Sequence, residues 1–125
     1  MGGYKELKVW QLARDIVIEV HKMTMTLPKF EMWEEGAQIR KSSKNVKSTI
    51  VEGYGRRIYK AEYLKFLVYA LASNDETRDH LETLYDTKSL TDEVVYKRIH
   101  GKISMEGKEL HDFYIGVEKN HMPRL

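Results

Sequence analysis

Apolar residues recur every three or four positions along most of the chain, and no segment alternates residue by residue as a half-buried strand does. In the first segment Val9, Ala13, Ile16, Val20, Met23 and Leu27 form one line. Leu7, Trp10 and Val17 form a second line beside it, and the pair is wider than one intramolecular seam requires. Leu27-Pro28 ends this helix, because the residue before a proline is pushed out of the α region. The spacing predicts a second helix over about 32–54, with Ile39, Ser43, Val46, Ile50 and Tyr54 inward and Gly53 and Gly55 as its C-terminal stop. A third helix over about 60–88 carries Tyr63, Leu67, Ala70, Asn74, Leu81, Leu84 and Tyr85. Thr91, followed by Asp92 and Glu93, predicts the N-cap of a fourth helix. That helix carries Val95, Ile99, Ile103, Leu110, Phe113 and Val117, with Gly101 and Gly107 as weak points and Pro123 beyond its end.

Four long amphipathic helices with short connections make an all-α, antiparallel up-down four-helix bundle the simplest packing, with residues 1–125 as a single domain. Ala37, Ser42 and Ser43 are small, which marks where the second helix comes close to a neighbour. The extra apolar line on the first helix predicts a homo-oligomer. At 125 residues, 42% hydrophobic and 32% charged, the chain can bury one core without help and is not a disordered or low-complexity segment.

Candidate chemistry narrows quickly. The absence of cysteine excludes disulfide scaffolds, thiol catalysis and cysteine-rich metal sites. The longest apolar run, Phe66 to Ala72, is too short to span a bilayer, and Glu6 stands where a myristoylation motif at Gly2 needs Ser or Thr. A cytoplasmic protein without a membrane partner is expected. A di-metal carboxylate bundle needs Glu-x-x-His on two helices, whereas the sequence holds one such pair, Glu118 with His121. Glu76 and His80 share a helix face but supply only two ligands and read as polar surface contacts. Gly53-Tyr54-Gly55-Arg56 closes a helix rather than opening one after a strand, so it is not a phosphate loop. Ser42, Ser43 and Ser48 have no histidine near in sequence and no elbow motif around them. Trp10 and Trp33 read as packing anchors. No enzyme activity, metal or cofactor is expected.

Charge changes the picture more. Although the formal net charge is only +2, Arg40, Lys41, Lys44, Lys47, Arg56, Arg57 and Lys60 face a single acid, Glu52, between positions 40 and 60. From Asp75 to Glu93 seven acids stand against Arg78 and Lys88. At about 100° per residue, Arg40, Lys44 and Lys47 fall on one stripe with Lys41 beside it. Two readings follow. The seven basic residues form a surface for nucleic-acid phosphates, or the stripe is a solvated or intersubunit face whose charges pair with the acidic third helix.

Several segments, in order, carry a resemblance. They are Leu7-Lys8-Val9-Trp10-Gln11, Leu27-Pro28-Lys29-Phe30-Glu31, Gln38-Ile39-Arg40-Lys41-Ser42-Ser43, Ile50-Val51-Glu52-Gly53-Tyr54-Gly55-Arg56, Glu62-Tyr63-Leu64-Lys65-Phe66-Leu67 and Ala72-Ser73-x-x-Glu76-Thr77. Together they resemble the four-helix bundle family encoded within intervening sequences of bacterial 23S ribosomal RNA genes, often labelled S23 ribosomal protein. The accessory variability determinant of diversity-generating retroelements is similar as well. The resemblance implies a homopentameric ring with a basic surface for RNA or DNA, no catalytic residues, and a reverse transcriptase as a further candidate partner. Arg40, Lys41, Glu52 and Arg56 match the family motif. The chain departs at Lys47, where the family usually has proline, and at Thr49 and Val51, where Asn and Ala are common. Losing that proline removes a helix-kinking residue and adds a charge.

Overall fold

A computed structural model describes residues 3–120. Gly2, His121 and Pro123, which entered the sequence reading, lie outside the described residues. Among the described residues there are four α-helices and no strand: α1 (Lys8–Thr24), α2 (Glu35–Gly55), α3 (Lys60–Asp86) and α4 (Glu93–Asn120). Each helix packs on its neighbour in sequence, and α1 closes the ring against α4. The architecture is the antiparallel four-helix bundle that the apolar spacing predicts.

The core divides into two clusters. Near one end Ile16, Val20, Met23, Ile39, Leu81, Leu84, Leu90, Ile99 and Ile103 pack together. Near the other, Val9, Ala13, Val46, Ile50, Tyr63, Leu67, Ala70 and Leu110 do the same. On α2, α3 and α4 the residues between the clusters are polar and buried: Ser42 and Ser43, then Ser73, Asn74 and Thr77, then Glu106. This polar layer is largely bonded within itself. Thr77 donates to Ser42 Oγ at 2.9 Å, and Asn45 Nδ2 donates to Ser73 Oγ at 2.6 Å. Asn74 Nδ2 reaches across to the Ile103 carbonyl at 3.0 Å. Ser43 donates back to the Arg40 carbonyl at 3.1 Å, the usual way for a serine to satisfy itself inside a helix.

Several boundaries differ from the sequence expectation, each for a physical reason. A 3-10 turn, Lys29–Met32, precedes α2, which therefore starts at Glu35. Within that turn Glu31 is buried; its carboxylate accepts the Gly36 N–H at 3.2 Å and the Ser89 hydroxyl at 2.6 Å, tying both connections at this end together. Gly53 does not stop α2. It lies inside the helix, where an added Cβ would meet Phe66 Cβ at 2.9 Å, so its function is close approach to α3. Gly107 likewise lets α4 pass Asn74, whose Nδ2 would sit 3.2 Å from a Cβ there. The α4 N-cap is Asp92 rather than Thr91, since the Asp92 carboxylate accepts the Val95 N–H at 3.1 Å. With lysine at position 47, α2 runs unbroken from Glu35 to Gly55.

Glu106 is the one member of the polar layer left without a partner: neither carboxyl oxygen is hydrogen-bonded among the described residues. Burial, with Glu109 one turn away adding like charge, pushes its carboxyl up to about 9 from an ordinary 4.5. The native state therefore keeps this proton while the unfolded chain releases it between those two values. Stability from this group is full below pH 4.5 and declines as pH rises toward 9, by about 1.4 kcal/mol per pH unit at most. Urea unfolding of the wild type against Glu106→Gln at pH 5, 7 and 9 should show the gap between them shifting in the variant's favour as pH rises. A constant gap would mean that Glu106 is ionised in the fold. A second expectation concerns Ser43, which is 1% exposed. Ser43→Leu overpacks the layer and should cost roughly 1–3 kcal/mol, read as a fall in the thermal midpoint.

Candidate nucleic-acid interface

Helix spacing decides which basic residues share a surface. Arg40, Lys44 and Lys47 line the side of α2 that faces α1. Lys47 Nζ lies 6.0 Å from the Trp10 ring centroid. Lys44 and Lys47 share a groove of about 580 Å³ with Val17 of α1, while Arg40 shares a neighbouring cleft with His21. Lys41 stands on the α3 side of α2 and lines the same groove near Asn45 and Glu76.

The remaining three predicted residues are elsewhere. Arg56 follows the last residue of α2, about half a turn away from the Lys47 stripe by helical phase. It pairs with Glu62 at 3.3 Å and covers the Phe66 ring at 4.7 Å. Glu62 in turn is held below its ordinary carboxylate range, first by its hydrogen bond with Lys65 and further by Arg56. Arg57 stacks over the Tyr54 ring at 4.0 Å and donates to the Tyr54 carbonyl at 2.8 Å. Lys60 is exposed at the start of α3. The basic run between positions 40 and 60 thus folds into two separate groups, one along the bundle and one at its end.

Pairing distinguishes these groups further. Lys8 meets Glu109, Lys102 meets Asp15 and Arg98 meets Glu19, so the seam between α1 and α4 neutralises its own charge. Among the described residues, Arg40, Lys41, Lys44 and Lys47 form no ion pair with an acid of the chain. The acids of α3 are turned to other work: Glu76 shares His80 with Glu35, and Glu82 meets His100 at 2.8 Å. Intramolecular pairing between the α2 stripe and α3, one reading of the sequence, is not what the fold contains.

One basic residue was missed. Arg14 falls between Trp10 and Val17 on the outer line of α1, is exposed, and forms no ion pair among the described residues. The signal was present in the sequence, at positions 10, 14 and 17, but that line read as apolar surplus because its two flanking residues are hydrophobic. Its apolar members, Leu7, Trp10 and Val17, are in fact half-buried. Trp33, expected to anchor packing, is 80% exposed because the turn before α2 buries Glu31 in place of its aromatic neighbours.

The other candidate chemistries find structural explanations. His80 binds the two carboxylates through different ring nitrogens, Glu35 at Nδ1 and Glu76 at Nε2, so the three groups do not converge on a point. No cluster of three or more His, Cys, Asp or Glu among the described residues has the geometry to hold a metal ion. Ser42, Ser43 and Ser48 each donate a hydroxyl to the carbonyl three residues back. No helix among the described residues is long and apolar enough to cross a membrane.

Comparison with known proteins agrees with this architecture. The family model of the 23S rRNA-intervening sequence protein matches residues 5–111. A crystal structure of a protein with unknown function from the S23 ribosomal protein family of Bacteroides thetaiotaomicron superposes with a TM-score of 0.73. It is 22% identical, and the match covers 85% of this chain and 97% of that one, a likeness of fold. No curated protein matches the chain.

Proposed function

Given that the chain belongs to the 23S rRNA-intervening sequence protein family, we propose that it is a non-catalytic, oligomeric protein that binds RNA or DNA through backbone phosphates along the face shared by α1 and α2. The observation that carries this reading is the row Arg40, Lys44 and Lys47 with Lys41 beside it, none of which forms an ion pair among the described residues. On the seam between α1 and α4 the fold pairs Lys8, Arg98 and Lys102 with acids; here it leaves several cations together. Cations in that state hold condensed anions only weakly, and transferring them to a polyphosphate releases the nucleic acid's own counterions, which drives binding at low salt. Carboxylates and serines in this groove are already committed to the chain's own hydrogen bonds, which favours a binding surface over a reaction centre.

Assembly follows from apolar surface the single chain leaves open. Val68 and Tyr69 on α3 are each 47% exposed, and Val94 and Met105 on α4 are 72% and 54% exposed. A homopentamer, as the family resemblance implies, would cover such surface and repeat the basic face around a ring, so that one strand reaching several subunits gains avidity.

Filter binding against salt tests the phosphate reading. Four cations in contact with phosphates give a log–log salt slope of about −3 to −4 on duplex DNA. Replacing Arg40, Lys44 and Lys47 together with Gln should flatten that slope to about −1 and weaken every sequence alike, with the thermal midpoint kept. Arg56→Gln should leave the slope nearly unchanged, because Arg56 is already paired. No binding by the wild type at about 50 mM salt would overturn the reading and leave an interaction bundle without nucleic acid.

A further inference from the structure

The end of the bundle that carries the α1–α2 connection exposes more apolar surface than the fold requires. Trp33 is 80% exposed, Met25 63%, Phe30 53% and Met32 49%, all within nine residues of one another. Dense exposure of this kind marks a binding surface rather than scattered surface hydrophobes. Beside it lies a cleft of about 290 Å³ with apolar walls of Met25, Leu27, Pro28 and Met32, and with His21 and Arg40 on its polar side. Arg40 is also the first residue of the basic stripe, and its Nη2 donates to the Met32 carbonyl at 2.9 Å. The aromatic end and the phosphate-binding face therefore share a residue.

Resting on the nucleic-acid reading above, we propose that the preferred ligand is single-stranded: unpaired bases stack on Trp33 and enter the adjoining cleft while their phosphates run from Arg40 along Lys44 and Lys47. In a duplex the bases are already stacked and paired, so an exposed indole face gains nothing from them; in a single strand every base offers a free π face. The cleft is at the lower limit of small-molecule sites, the size for one planar base rather than a larger group. Arg40 to Lys47 spans about 10 Å of helix, so a few nucleotides complete the contact. Charge complementarity selects this occupant over a protein: an apolar patch waiting for a partner protein has no need of Arg40, Lys44 and Lys47 leading away from it without acidic partners.

The test uses Trp10→Phe protein, in which Trp33 is the sole tryptophan, at about 50 mM salt. Three probes of equal phosphate number are titrated: oligothymidine, the same strand without bases, and a DNA duplex. Oligothymidine should quench Trp33 fluorescence and bind about fivefold or more tightly than the abasic strand. Trp33→Ala, followed by anisotropy of labelled probes, should abolish that preference while leaving the salt slope and the duplex affinity unchanged. Equal binding of all three probes without quenching overturns the base-stacking proposal and leaves phosphate binding intact, whereas binding of none overturns both. Sedimentation of Trp33→Ala as a smaller oligomer than the parent would identify the patch as a subunit contact and also overturn the proposal.

Discussion

The close approach of α2 to α3 is the constraint on which the remainder of this bundle depends. Hydroxyls of Ser42 and Thr77 meet directly at 2.9 Å, and Gly53 leaves room for the Phe66 side chain where any Cβ would collide. Two helices can pack so tightly only when the residues between them are small. That choice has an electrostatic consequence. With small side chains turned to α3 and apolar ones to the core, the sides of α2 toward α1 and solvent are left for long side chains, and there Arg40, Lys44 and Lys47 line up. The basic stripe is thus the reverse side of a packing solution.

The same polar layer splits the apolar core into two clusters and leaves Glu106 at its centre without a partner. An isolated carboxyl in this position survives by keeping its proton, which is the least costly of its options in a low-dielectric interior. An apolar residue there would join the two clusters into one core. Neither carboxyl oxygen of Glu106 has a hydrogen-bond partner among the described residues. Arg78, whose Nε is likewise buried and unbonded, sits near the same layer beside Gly107.

Electrostatics divides the surface in a way that net charge conceals. Around α4 the ion pairs with α1 are short and between helices, while Arg40, Lys41, Lys44 and Lys47 form no ion pair among the described residues. Exposed pairs contribute little stability, so their value here is as a map of which charges the fold has committed. The apolar residues follow the same logic. Trp10 is partly covered by Lys47, whereas Trp33 projects from a turn whose buried residue is the acid Glu31.

How much was legible in the sequence depends on whether the signal is local. Helix number, helix order and the inward faces follow from the three-to-four spacing of residues such as Val9, Ala13, Ile16 and Val20, because a helix repeats every 3.6 residues whatever surrounds it. The phase of Arg40, Lys44 and Lys47 was legible for the same reason, and so were Ser42 and Ser43 as points of close approach. What the sequence could not decide required two helices at once. Gly53 looks like a stop until Phe66 is placed against it; Arg56 looks like part of the basic run until Glu62 and Phe66 claim it. Trp33 projects from a turn whose buried residue, Glu31, is held by Gly36 and by the distant Ser89. Periodicity within one helix is a property of the chain, whereas the partner of a side chain is a property of packing, set by contacts among residues tens of positions apart.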